Sequence, residues 1–129
     1  QELDDLIENL IETMNDEKGI GIAAPQVGIH KRVIIVDDGK EVKAYINPKI
    51  VSKSLRRMES DEGCLSIPGI WGIVKRSKSV KVKAWSPDGE EVLIKADGLV
   101  GTIFQHEIDH LNGVLFIDKV IRYTKHPRL

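Results

Sequence analysis

A single cysteine, Cys64, in 129 residues excludes an internal disulfide, and with it the secreted class of small domains that are stapled rather than packed. A surplus of charge of one sign is also missing. The 19 Lys+Arg stand against 20 Asp+Glu, a balance that gives no electrostatic case for nucleic acid or for an anionic membrane surface. No stretch approaches the roughly 18 apolar residues that a membrane span needs. The N-terminus is an acidic amphipathic stretch rather than a signal peptide. These absences leave a soluble, cytoplasmic protein as the expectation, with residues 1–129 forming one domain whose core folds without staples.

What is present reads as mixed structure. "LDDLIENLIETM" sets Leu3, Leu6, Ile7, Leu10, Ile11 and Met14 at helical spacing with its acids outward, so an amphipathic helix opens the chain. No capping sequence precedes it, as though the chain began where a longer relative is already folded. "EKGIGIAAPQVG" (17–28) reads as a loop that passes close to something. "RVIIVD", "VKAYINP" and "KIVSKSL" are short β-rich runs, the first two joined at "DDGK", and "SVKVKAW" and "EEVLIKA" flank "SPDGE". Successive hairpins predict antiparallel sheet. A late helix spans about Leu99 to Leu111 and closes at Asn112-Gly113. The predicted class is α+β: antiparallel β-sheets packed around a central helix, with the amphipathic helix at the N-terminus.

That late helix carries the chemistry. In "FQHEIDHLNG" (104–113), His106 and His110 lie about 40° apart on one helical face, where two imidazoles can grip one ion. Glu107 sits beside that face, too far round to be the obvious third ligand and well placed to act on a water, the division of labour of an H-E-x-x-H metallohydrolase. Two histidines at this spacing also occur on ordinary surfaces and in ordinary cores. Here Ile103, Phe104, Ile108, Leu111 and Val114 surround the charges, and half-buried imidazoles and carboxylates without partners cost several kcal/mol.

A catalytic site wants three protein ligands and an open position. The extended pattern H-E-x-x-H-x-x-G-x-x-H would place the third at position 116, which is Phe116, and no glutamate follows it. Asp118 and His126 remain downstream, and Cys64 in "DEGCLSIPG" is the one soft ligand upstream. Glycine-permitted bends beside Cys64 would let sheet packing bring it against the helix, which gives Cys-His-His plus water.

Three segments in this order, "GIGIAAPQVG" (19–28), "EGCLS" (62–66) and "QHEIDH" (105–110), resemble the signatures of the peptide deformylase family. The resemblance covers almost the whole chain. It implies a hydrolase that removes the formyl group from the N-terminal formyl-methionine of nascent polypeptides, by attack of metal-activated water on the formyl carbon. It assigns Cys64, His106 and His110 to the metal and Glu107 to general base and acid catalysis. Gln26, through its amide, and Leu65, through its backbone N–H, would hold the formyl oxygen. Iron(II) is the implied ion, with zinc, nickel or cobalt as substitutes, and Arg76 is the implied ion-pair partner of Asp109. The glycines of two segments are expected to let the backbone approach an extended peptide. The expected groove is lined by Ile20, Gly21, Gly63 and Leu65, with Ile103 in an apolar pocket for the methionine side chain.

The chain departs from the family in three places. A β segment that many bacterial members have before the first helix is absent from it. After "GVLFID" only "KVIRYTKHPRL" remains where many members have a long C-terminal helix, which suits a compact variant and leaves docking near the ribosomal exit open. Trp71 stands where a basic residue often reaches the substrate backbone, and an indole offers area in place of hydrogen bonds. Two other readings compete: a zinc peptidase with a different third ligand, and a structural metal site. Structural zinc takes four protein ligands and no general base, so Glu107 and Gln26 count against the second.

Overall fold

The computed structural model describes residues 2–64 and 67–124. Helix α1 (Glu2–Asp16) is followed by strand β1 (Gly21–Ala23), a 3-10 turn (Ala24–Val27), β2 (Val33–Asp37), β3 (Val42–Lys53), β4 (Arg57–Cys64) and β5 (Ile67–Ser77). Then come β6 (Ser79–Trp85), β7 (Glu91–Asp97), helix α2 (Gly98–Leu111), a second 3-10 turn (Phe116–Asp118) and β8 (Val120–Thr124). The strands form a five-stranded sheet in the order β1-β2-β3-β6-β7 and a three-stranded sheet in the order β4-β5-β8, with antiparallel pairing.

The larger sheet is covered on both faces, which explains why β2 is apolar at four successive positions. Alternation turns Ile34 and Val36 toward α2, where they meet Ile103, Phe104 and Ile108 together with Val80, Val82 and Ala96. Val33 and Ile35 turn the other way and join Ile22 and Ala44 against Leu6, Leu10 and Met14 of α1. Tyr45 packs on Phe104 with ring centroids 5.1 Å apart. Of the described helices, none is long and apolar enough to cross a membrane.

Both helices end in the same hydrogen-bonded motif. Gly113 has φ +77°, its N–H bonds the carbonyl of His110, and the N–H of Val114 bonds that of Asp109. At the end of α1 the left-handed position is Lys18, at φ +57°, rather than the glycine beside it.

Several sequence expectations are corrected. Residues 17–28 are not all loop: Gly21–Ala23 pair with β2, and residues 24–27 form a 3-10 turn. The two runs expected within 42–55 are one strand that ends at Lys53, interrupted by register shifts and by Asn47 at φ +51°. The segment after "GVLFID" enters a strand, in which Val120–Thr124 pair with β5. Strands β4 and β5, interrupted by glycine and proline in the sequence, are held by pairing with each other rather than by local preference.

Helix α2 packs against the end of β7 at Gly101, where an added Cβ would lie 2.8 Å from the carbonyl oxygen of Ala96. Helix propensity alone favours alanine there by about 1 kcal/mol, whereas overpacking against backbone costs about 1–3 kcal/mol. Gly101→Ala is therefore expected to destabilise the protein in urea unfolding, and a more stable variant would contradict this packing.

Candidate metal centre

Alternation along β4 and the turn of α2 bring the site together. Glu62 and Cys64 are two apart in the strand and face the helix, while His106 and His110 present their rings from one helical face. The sulfur of Cys64 lies 3.1 Å from Nε2 of His110, and that nitrogen lies 3.3 Å from Nε2 of His106. The three ligand atoms all fall within 4.8 Å of one another. Asp118 stands apart from this cluster, its carboxylate accepting the Leu115 N–H at 3.0 Å. Leu65 and His126 lie outside the described residues. Phe116, at the position where the extended motif would need a histidine, is buried against the His106 ring at a centroid separation of 6.0 Å.

The orientation of His106 is set from behind. Its Nδ1 lies 2.8 Å from Oε1 of Glu62, and a carboxylate there can only accept, so Nδ1 carries a proton and Nε2 is the nitrogen left to face a proton or a cation. Glu62 is in turn gripped by Arg76, whose Nε and Nη2 donate at 2.9 and 2.7 Å. The third guanidinium nitrogen, Nη1, donates to Asp109 at 2.6 Å, and Lys119 reaches the same carboxylate oxygen at 3.0 Å. The ion pair between Arg76 and Asp109 thus forms. Burial works against the charge on Glu62, yet the hydrogen bonds from Arg76 and His106 outweigh it and hold its carboxyl down at about 2.

Glu62 is the site residue that sequence reasoning missed. The available signal was its place two residues before Cys64 in a strand, which puts both on one face. Gln105 was also missed. Its buried amide accepts from the Ser77 N–H at 2.9 Å and donates to the Ser77 and Gly101 carbonyls at 2.8 and 3.0 Å, tying α2 to the end of β5.

Glu107 occupies the other side of the centre. It is 5% exposed, and its Oε1 is a buried oxygen without a hydrogen-bond partner among the described residues. Burial pushes its carboxyl up to about 7 against the pull of the two histidines. Gly21 makes this placement possible, since a Cβ there would sit 2.7 Å from Oε2 of Glu107 and 2.8 Å from Cγ2 of Ile103. Gln26 is held by the Ala23 N–H, which donates to its Oε1 at 2.8 Å and turns the amide nitrogen toward Cys64, 3.5 Å from the sulfur.

The donor set fits a divalent cation. Two nitrogens bound to one tetrahedral ion lie roughly 3.3–3.4 Å apart, and the imidazole nitrogens are 3.3 Å apart. The sulfur, at 3.1 Å, is somewhat inside the roughly 3.5 Å that the same geometry asks between S and N. Burial lowers the proton affinity of His106, but its hydrogen bonds to Cys64 and Glu62 and the neighbouring carboxylates overcome this and raise its pKa to about 10. A centre that draws positive charge this strongly suits a cation in place of the proton. Beside it opens a cleft of about 420 Å³ whose lining includes Ile20, Gly21, Gly63, Trp71, Ile103 and Glu107.

The sequence model of the family described as Polypeptide deformylase matches residues 1–126. A peptide deformylase of Halothermothrix orenii is 50% identical over 119 residues, which cover 91% of this chain and 77% of that protein. One from Natranaerobius thermophilus is 51% identical over 118 residues, covering 91% and 76%. The crystal structure of peptide deformylase from Thermotoga maritima superposes with a TM-score of 0.90 at 45% identity, over 92% of this chain and 81% of that one. A probable peptide deformylase from synechococcus phage S-SSM7 gives 0.87 at 47% identity, over 92% and 83%. With this agreement of sequence, fold and donor set, the chain belongs to the polypeptide deformylase family and is an enzyme of metal-dependent deformylation, acting on formylated nascent peptides.

Proposed function

We propose that residues 1–129 act as one catalytic domain in which Cys64, His106 and His110 hold one divalent ion, iron(II) in the cell and zinc, nickel or cobalt as working substitutes. The observation that carries this reading is the convergence of one sulfur and two Nε2 atoms beside a buried carboxylate with an unsatisfied oxygen. When bound, the ion supplies Lewis acidity, which makes water acidic enough to attack an amide at neutral pH.

The protein groups do the rest. Glu107 takes the proton of the attacking water and returns it to the departing amine, a role served by burial that lifts its pKa to about 7. Gln26, its Oε1 engaged by the Ala23 N–H, donates from Nε2 to the formyl oxygen as charge builds there, with the backbone N–H of Leu65 as the second donor. An extended peptide lies along the edge strand β1, between Ile20, Gly21, Gly63 and Leu65, and places its methionine side chain against Ile103. The partner is then the formyl-methionyl end of a nascent chain met near the ribosomal exit in the cytoplasm, without direct contact to nucleic acid or membrane.

Two measurements test this. Glu107→Gln is expected to lower kcat for a formyl-Met peptide by about 10²–10⁴ while the metal content stays at one per chain; retained turnover would remove Glu107 from proton transfer. In an anaerobic assay of formyl-Met-Ala-Ser with metal analysis of the same sample, chelation is expected to abolish turnover, and iron(II) or cobalt to restore it. Air should inactivate the iron form and spare the cobalt form. A metal-free protein that turns over at the full rate would overturn the assignment.

A further inference from the structure

We propose that Trp71 is a positioning residue for the metal centre: its indole backs the strand that carries Cys64 and holds the sulfur against the two imidazoles. The proposal rests on the assignment of Cys64, His106 and His110 as ligands.

Gly63 and Trp71 face each other across β4 and β5. A Cβ added to Gly63 would meet the indole at 2.8, 2.9 and 3.0 Å from Cε2, Cδ2 and Cζ2, so the ring fills the volume that a side chain would need. Alternation puts this contact on the face of β4 opposite Glu62, whose carboxylate turns inward to Arg76 and His106. The strand is therefore gripped from both sides one residue before the cysteine.

The place of this grip in the ladder gives it leverage. Pairing runs in regular register from Arg57 opposite Ser77 to Gly63 opposite Trp71, then shifts, so that Cys64 pairs with Ile67. Trp71 thus holds the last regular rung before the ligand. Glycine in a strand has no side chain to pack and more backbone freedom than any other residue, and a cross-strand aromatic that covers it restores order. The strand that carries the ring is itself held on its other edge. Trp71 also pairs with Thr124 of β8, and across the middle strand Thr124 donates to Asp61 at 2.9 Å and Arg122 to Glu59 at 2.7 Å. Trp71 and the last described strand thus belong to one device.

The test follows the ion rather than turnover. Cobalt-loaded parent, Trp71→Ala, Trp71→Phe and Gly63→Ala are compared by the thiolate-to-cobalt absorption band and by the rate of cobalt release to a chelator. Trp71→Ala should shift or weaken the band and speed release about tenfold or more, and Trp71→Phe should restore most of both. Gly63→Ala should mimic Trp71→Ala by displacing the ring, and the two changes together should cost less than their sum, as expected of residues in contact. If Trp71→Ala does not fold, Trp71→Phe and Gly63→Ala still read the same two signals. An unchanged band and release rate in Trp71→Ala, or in Gly63→Ala where it alone is folded, would overturn the proposal. A parent that shows no thiolate band at all would instead remove the ligand assignment, and this proposal with it.

Discussion

A carboxylate buried to 8% exposure, that of Glu62, is the constraint on which the arrangement turns. Such a charge is tolerated only when paired and fully hydrogen-bonded, and removing one partner of a buried pair costs about 3–5 kcal/mol. Arg76 supplies two donors and His106 a third. Because Arg76 also binds Asp109 on α2, and Asp109 binds Lys119 just before β8, the pairing links the small sheet, the central helix and the C-terminal strand. The same contact that satisfies Glu62 fixes which nitrogen of His106 is left to face a proton or a cation, so local packing and ligand chemistry are one requirement.

That economy explains the positions of the glycines. Gly21 admits Glu107 and Ile103 to a space that any Cβ would occupy, and Gly63 admits the indole of Trp71. Both were expected on the sequence to serve the approach of a peptide. In the fold each also has a side chain lying where its own would be: Gly21 lets α2 sit close on the larger sheet, and Gly63 lets Trp71 cover its strand within the small sheet.

Much of this was legible in the sequence where a pattern is local. The period-2 alternation of "SVKVKAW", the Asp-Gly turns and the helical spacing in "LDDLIENLIETM" each determine structure within a few residues, and strands β2, β6, β7 and both helices lie where those patterns put them. Strands β4, β5 and β8 were not legible, because "EGCLSIPGIWGIVKRS" and "KVIRYT" owe their extended form to one another across the sheet. Within the site, the pair of histidines and the glutamate between them were visible from helical geometry. Cys64 remained one candidate of three until the resemblance to a family singled it out. Glu62 left only a two-residue spacing, since its importance comes from Arg76, fourteen residues away, and from His106, forty-four away.

The central claim is that Glu62 orients His106 for metal binding, and it is tested most directly by the metal dissociation constant of Glu62→Gln set beside that of Asp109→Asn. Loss of a carboxylate behind a ligating histidine typically weakens metal binding about 10–100-fold, and this is expected for Glu62→Gln. Asp109→Asn, which disturbs Arg76 without touching His106, should change the constant far less. Equal constants for Glu62→Gln and the parent would contradict the account.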